Sequence, residues 1–125
     1  MLRANSIPTG LCYQRLSLDD TGPPYCLHGL NAVYIKDYDD SSAEEGKGEG
    51  EGYWYRLDPR GLKPTVLQAT FDPPNEEAAL AYKPNLDIGE MDLPEIYIEP
   101  LQSVVNTLTK TSQTWEDVSN NLPDI

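Results

Sequence analysis

The chain has 125 residues, a net charge of −12 and a sequence pI near 4.2. That length bounds it to one domain with a modest core. The acidic balance argues against nucleic acid or an anionic membrane surface as partner, because both select clustered Lys and Arg. No apolar run approaches 18 residues, so no membrane-spanning helix is expected. The N-terminal "MLRANSIPTG" holds no hydrophobic region of the secretory kind. Two cysteines are too few for a disulfide framework. Free thiols and a cytoplasmic location are therefore the expectation.

"MLRAN" is composed of helix formers and runs into "SIPTG", where Pro8 and Gly10 end any helix. It reads as the last turn of a helix whose start is not in the chain. "TGLCYQRLSL", Thr9 to Leu18, alternates as a strand, with Leu11, Tyr13 and Arg15 on one face and Cys12, Gln14 and Leu16 on the other. "DDTGPP" is a turn cluster. Leu27 to Lys36 is a second strand: Leu27, Gly29, Asn31, Val33 and Ile35 face one way, and His28, Leu30, Ala32, Tyr34 and Lys36 the other. Residues 37–52 hold seven acids against one lysine, half of the net charge, and read as a flexible acidic loop insertion. Tyr53 to Asp58 is the antiparallel partner strand. "TVLQATF", Thr65 to Phe71, is a further strand, and "DPPNEEAALAY" a turn with one helical turn. "DLPEIYIEP" is an extended segment covering a sheet edge.

The C-terminal part is helical. Leu101, Val104, Val105 and Leu108 make an i, i+3, i+4, i+7 stripe, with Pro100 in the first turn. Thr114 and Asp117 have capping-box spacing, opening a helix with Trp115, Val118 and Leu122 inward. The fold class is α+β: an antiparallel β-sheet with C-terminal helices, in a single domain over 1–125.

His28 is the chain's one histidine. If the strands 27–36 and 53–58 form a hairpin, His28 and Asp58 both lie far from its loop and come near register, provided bulges are allowed. A carboxylate beside an imidazole fixes its tautomer and stabilises its charged form, which is two thirds of a nucleophilic triad. The bland alternative is a structural histidine and a turn aspartate. Cys26 shares a sheet face with His28, but two strand residues span roughly 6.6 Å, too long for a thiol–imidazole bond. Cys12, between Gln14 and Leu16 on its face, reads as a small core residue. No G-x-S-x-G elbow offers a serine. "DYDDSSAEE" lacks the central glycine and spaced acids of a calcium loop, so neither a metal nor a cofactor is expected.

Four segments, "SIPTGLCYQRL", "CLHGLNAVYI", "YWYRLDPRGLK" and "FDPPNEEAALAY", resemble the transglutaminase-like family in order and spacing over about residues 2 to 81. The resemblance implies the sheet half of a papain-like fold. It implies that His28, opening an H-x-x-N-x-V-Y strand, and Asp58, ending W-Y-x-x-D-x-R-G, are the catalytic histidine and aspartate. In that family the nucleophilic cysteine begins a helix ending like "LLRAxGIPTG"; here only the tail of that segment, "MLRANSIPTG", is present. Ser6 stands where the family has glycine, Leu62 where it has asparagine, and the acidic insertion is a further departure. Two functions follow as expectations. One is the His/Asp-bearing part of a Cys-His-Asp acyl-transfer domain acting on amide or peptide carbonyls of a protein or peptide. The other is an inactive pseudoenzyme that binds a protein partner, or self-associates, through the face left by the missing helix.

Overall fold

Among the described residues three of the expected strands, with a short fourth that was not expected, form one antiparallel sheet in the order β3-β2-β1-β4. They are β1 (Thr9–Ser17), β2 (Tyr25–Ile35), β3 (Tyr53–Leu57) and the short β4 (Met91–Asp92). In this computed structural model the described residues are 1–36, 52–59, 71–73, 75–110 and 114–125. The acidic segment 37–51 and most of the strand expected over Thr65 to Phe71 lie outside them. Phe71 itself is described, exposed, with its ring edge-on to Tyr55.

β1 and β2 pair along their length, from Thr9 opposite Val33 to Ser17 opposite Tyr25. The turn between them is built by the residues that announced it. Asp19 accepts from the Thr21 backbone N–H at 3.0 Å and its hydroxyl at 2.6 Å, and Asp20 takes a left-handed φ of 62°. β2 and β3 form the expected hairpin pair, from Ile35 opposite Tyr53 to Asn31 opposite Leu57.

Both sheet faces are covered at the centre, as alternation in a two-sided sheet requires. On one face Cys12, Leu30 and Ala32 pack under Leu80 and Ile96. On the other, Val33, Tyr55 and Ala79 pack with Leu2, Ile35, Tyr53 and Leu57. Gly10 is needed beneath Ile96: a Cβ at this position would run into an Ile96 methyl group.

The segment "DLPEIYIEP" does cover a sheet edge. Leu93 N–H donates to the Tyr13 carbonyl at 3.0 Å, and Leu11 and Tyr97 exchange two backbone bonds of 2.8 Å each. The approach to that edge is clamped by Glu90, a buried carboxylate that accepts from the backbone N–H of Ser17 at 2.8 Å and of Asn85 at 2.7 Å. Gly89 (φ 85°) supplies the left-handed turn that brings Glu90 round.

The helices are shorter and less buried than their stripes implied. The N-terminal turn is a 3-10 turn, Arg3–Asn5, closed by Ser6 at φ 60°. α1 is Gln102–Leu108, capped by Leu101, so Pro100 precedes the helix instead of lying in its first turn. Val104 and Val105 are half-buried, while Leu108 is exposed. α2, Trp115–Asn120, opens on the expected capping box of Thr114 and Asp117. Its inward face is a correction: Trp115 is 84% exposed and Leu122 is exposed too. Spacing shows that a helix has an apolar side; it does not show that the rest of the chain offers a surface for it.

Candidate functional site

His28 lies on β2 and Asp58 immediately follows β3. His28 Nε2 and Asp58 Oδ2 are 2.5 Å apart, with side chains 11% and 2% exposed. No bulge is required. The ladder ends at Asn31 opposite Leu57, so continuing it sets Asp58 across from Leu30 and one same-face step from His28. The two side chains meet on the diagonal, a distance that an imidazole can span. An ionised Asp58 accepts the Nε2 proton, which leaves the lone pair, and therefore the basic atom, at Nδ1. The Tyr82 ring stands edge-on to the imidazole, with centroids 5.0 Å apart and planes at 75°.

A polar network lies beside the pair on the same face. Gln14 is directly opposite His28 across β1 and β2 and is 1% exposed. Its amide nitrogen donates to the Tyr82 carbonyl at 3.2 Å and to Asp92 Oδ1 at 2.9 Å. Arg56 donates through Nη1 to Asp92 at 2.7 Å and through Nε to Glu76 at 2.8 Å. Burial opposes the Arg56 charge, but its bonds to Glu76 and Asp92 outweigh that and hold its pKa above the ordinary value. Glu76 Oε1 also accepts the Arg56 backbone N–H at 2.7 Å, and the Ala79 carbonyl accepts that of Asp58 at 2.9 Å.

Neither thiol is an activated nucleophile. Cys12 is 2% exposed in the core, as expected, and burial pushes its pKa up, with Arg56 acting weakly the other way. Burial, followed by the charges of Asp124 and Glu90, pushes the Cys26 thiol up as well. A thiol with a raised pKa stays protonated at neutral pH and attacks poorly. Among the described residues no group of three or more His, Cys, Asp or Glu is placed to hold a metal ion. A cavity of about 310 Å³ lies between the sheet and the start of α1, lined in part by Leu11, Tyr13, Asn31, Pro100 and Val104; neither His28 nor Asp58 borders it.

The structure thus brings together the two residues singled out in the sequence, and adds Gln14, Tyr82, Arg56, Glu76 and Asp92 around them. One of these left a signal. The alternation that placed Cys12 and Leu16 in the core places Gln14 there too, and a buried amide must find partners. Arg56 lies on the expected strand β3, while Glu76, Tyr82 and Asp92 are brought in by chain beyond it, whose path no strand pattern specifies. Comparison of the chain with family models, with curated proteins and with solved structures gave no match.

Proposed function

We propose that this chain carries the histidine and aspartate of a Cys-His-Asp acyl-transfer site of the transglutaminase-like kind, on the sheet half of a papain-like fold. The observation that supports the reading is the buried His28–Asp58 contact, with Nε2 committed to the carboxylate and Nδ1 left as the base. In the proposed reaction a cysteine thiol gives its proton to His28 Nδ1. The thiolate attacks a carboxamide or peptide carbonyl carbon, a C–S bond forms, and the C–N bond breaks. The departing amine or ammonia takes the proton from Nδ1. An amine or water then attacks the thioester, giving its proton to His28, and the thiolate leaves. Asp58 orients the ring and offsets its positive charge in both halves.

The nucleophile of this scheme lies outside these 125 residues. A chain with two protonated, burial-shifted thiols has little or no activity by itself. The same observation favours a second reading, a pseudoenzyme that keeps the sheet as a binding module for a protein partner. One experiment separates the two. A helix bearing a cysteine is joined ahead of Leu2, and release of ammonia from a glutamine-containing peptide is followed. Thiol-dependent turnover is expected, with His28→Ala lowering it by at least about 100-fold. A folded, helix-bearing protein without turnover would exclude the enzymatic reading and leave the binding module.

A further inference from the structure

A hydrogen bond at Nε2 holds one atom of the His28 ring. It leaves the plane of the ring free to swing about the N···O axis, and Nδ1 would swing with it. The edge-on ring of Tyr82, 5.0 Å away at 75°, is what meets that motion. Tyr82 is itself tied down. Its carbonyl accepts from Gln14, whose amide nitrogen also serves Asp92. Both partners are acceptors, so the orientation of the Gln14 amide is set: nitrogen toward them. Asp92 is bound by Arg56, Arg56 by Glu76, and Glu76 begins the segment that ends at Tyr82. The circuit closes on itself, taking one residue each from β1, β3 and β4 and both ends of segment 76–82. Midway along that segment the Ala79 carbonyl receives the Asp58 backbone N–H. One clamped segment therefore touches both members of the pair.

We infer that Tyr82 and Gln14 are positioning residues for the His28 imidazole: Tyr82 by walling the ring plane, Gln14 by pinning Tyr82. The inference rests on the reading of His28 and Asp58 as the working pair. Neither residue exchanges a proton in the reaction. Their effect is to narrow the range of directions in which Nδ1 points, which matters because proton transfer needs the base within hydrogen-bonding reach and alignment.

His28 is the chain's one histidine, so a long-range ¹⁵N–¹H correlation on the labelled 125-residue protein reads a single ring without assignment. At a pH where the ring is neutral, the wild-type chain should show one tautomer, with Nε2 protonated. Tyr82→Phe, which keeps the ring, should look the same. Tyr82→Leu should lower the tautomer ratio by about tenfold and broaden the ring signals, because the Asp58 bond is no longer held in line. Gln14→Met should move the ring in the same direction by less. Amide dispersion reports folding; should Tyr82→Leu unfold, Tyr82→Met, whose long flexible side chain fills the gap better without a ring, is read in its place. Wild-type tautomer and line width in both the Tyr82 and Gln14 variants would overturn the inference and leave the pair intact. A wild-type ring with mixed tautomers, or with the proton on Nδ1, would overturn the pair itself.

Discussion

The face that carries His28 and the C-terminal helices are built from similar materials and end in opposite states. Around His28 each polar side chain is answered by another: Asp58 by the imidazole, Gln14 by Tyr82 and Asp92, Arg56 by Glu76 and Asp92. α2 has a well-formed capping box, yet its tryptophan faces solvent. Its attachment is at the far end of the tail, where Leu27 N–H donates to the Pro123 carbonyl at 2.9 Å and Arg15 binds Asp124 at 2.7 Å. A helix can thus satisfy its own termini locally, but its apolar side needs a long-range partner. The sheet face has such partners, because the segments after β3 return to it.

The comparison breaks first on volume. Tyr55, 1% exposed under Ala79, should lose about 3–5 kcal/mol of stability on replacement by alanine, whereas Trp115→Ala should fall within about 0.5 kcal/mol of wild type. Urea denaturation of both variants checks the contrast, and a large Trp115 effect would mean that α2 packs after all. Next comes Glu90. Glu90→Gln keeps the size but turns an amino group toward one of the two backbone donors it serves, so a loss of about 1–3 kcal/mol is expected in the same assay.

Ser6 gives a smaller effect of the opposite sign. It holds φ 60° at the end of the 3-10 turn, a conformation that costs a residue with a Cβ. Ser6→Gly should raise stability by about 0.5–1 kcal/mol, visible as a higher thermal midpoint. The smallest effect concerns the tail. The hydrogen bond from Arg15 holds the Asp124 carboxyl below the ordinary aspartate range. A depressed folded value means that the stabilisation is full above the unfolded value, about 3.9, and is lost as pH falls through the lower, folded one. The pair is partly exposed, so the loss should be slight and weakened by salt. Faster hydrogen exchange at Leu27 in acid, absent in Asp124→Asn, is the check.

These contrasts follow what the sequence could carry. The spans of β1, β2 and β3 were legible to within about two residues at each end, since alternation is a local pattern with a period that the pleat imposes. The proximity of His28 and Asp58 was legible too, though the bulge invoked to bring them into register was unnecessary, because the pair meets on the diagonal. Ser6 was flagged as a departure from a glycine, and it occupies the left-handed position that glycine suits. Tyr82 was not legible as a neighbour of His28, nor Glu76 and Asp92 as members of the network beside it. Their placement depends on how chain of irregular structure crosses the sheet. Trp115 was misread because its stripe repeats with helical period whether or not a surface awaits it.

The backbone donors of Arg56 and Asp58 point away from β2, along the outer side of the last strand, where Glu76 Oε1 and the Ala79 carbonyl take them. On the opposite side of the sheet, Leu93 and Tyr97 extend the pairing that β4 makes with β1. A sheet with bare margins invites a strand from another copy to add on, the first step of ordered aggregation. Here an incoming strand at β3 finds these hydrogen bonds already made. At Arg56 the stopper is a single carboxylate, held in place by the guanidinium of the very residue whose backbone it blocks.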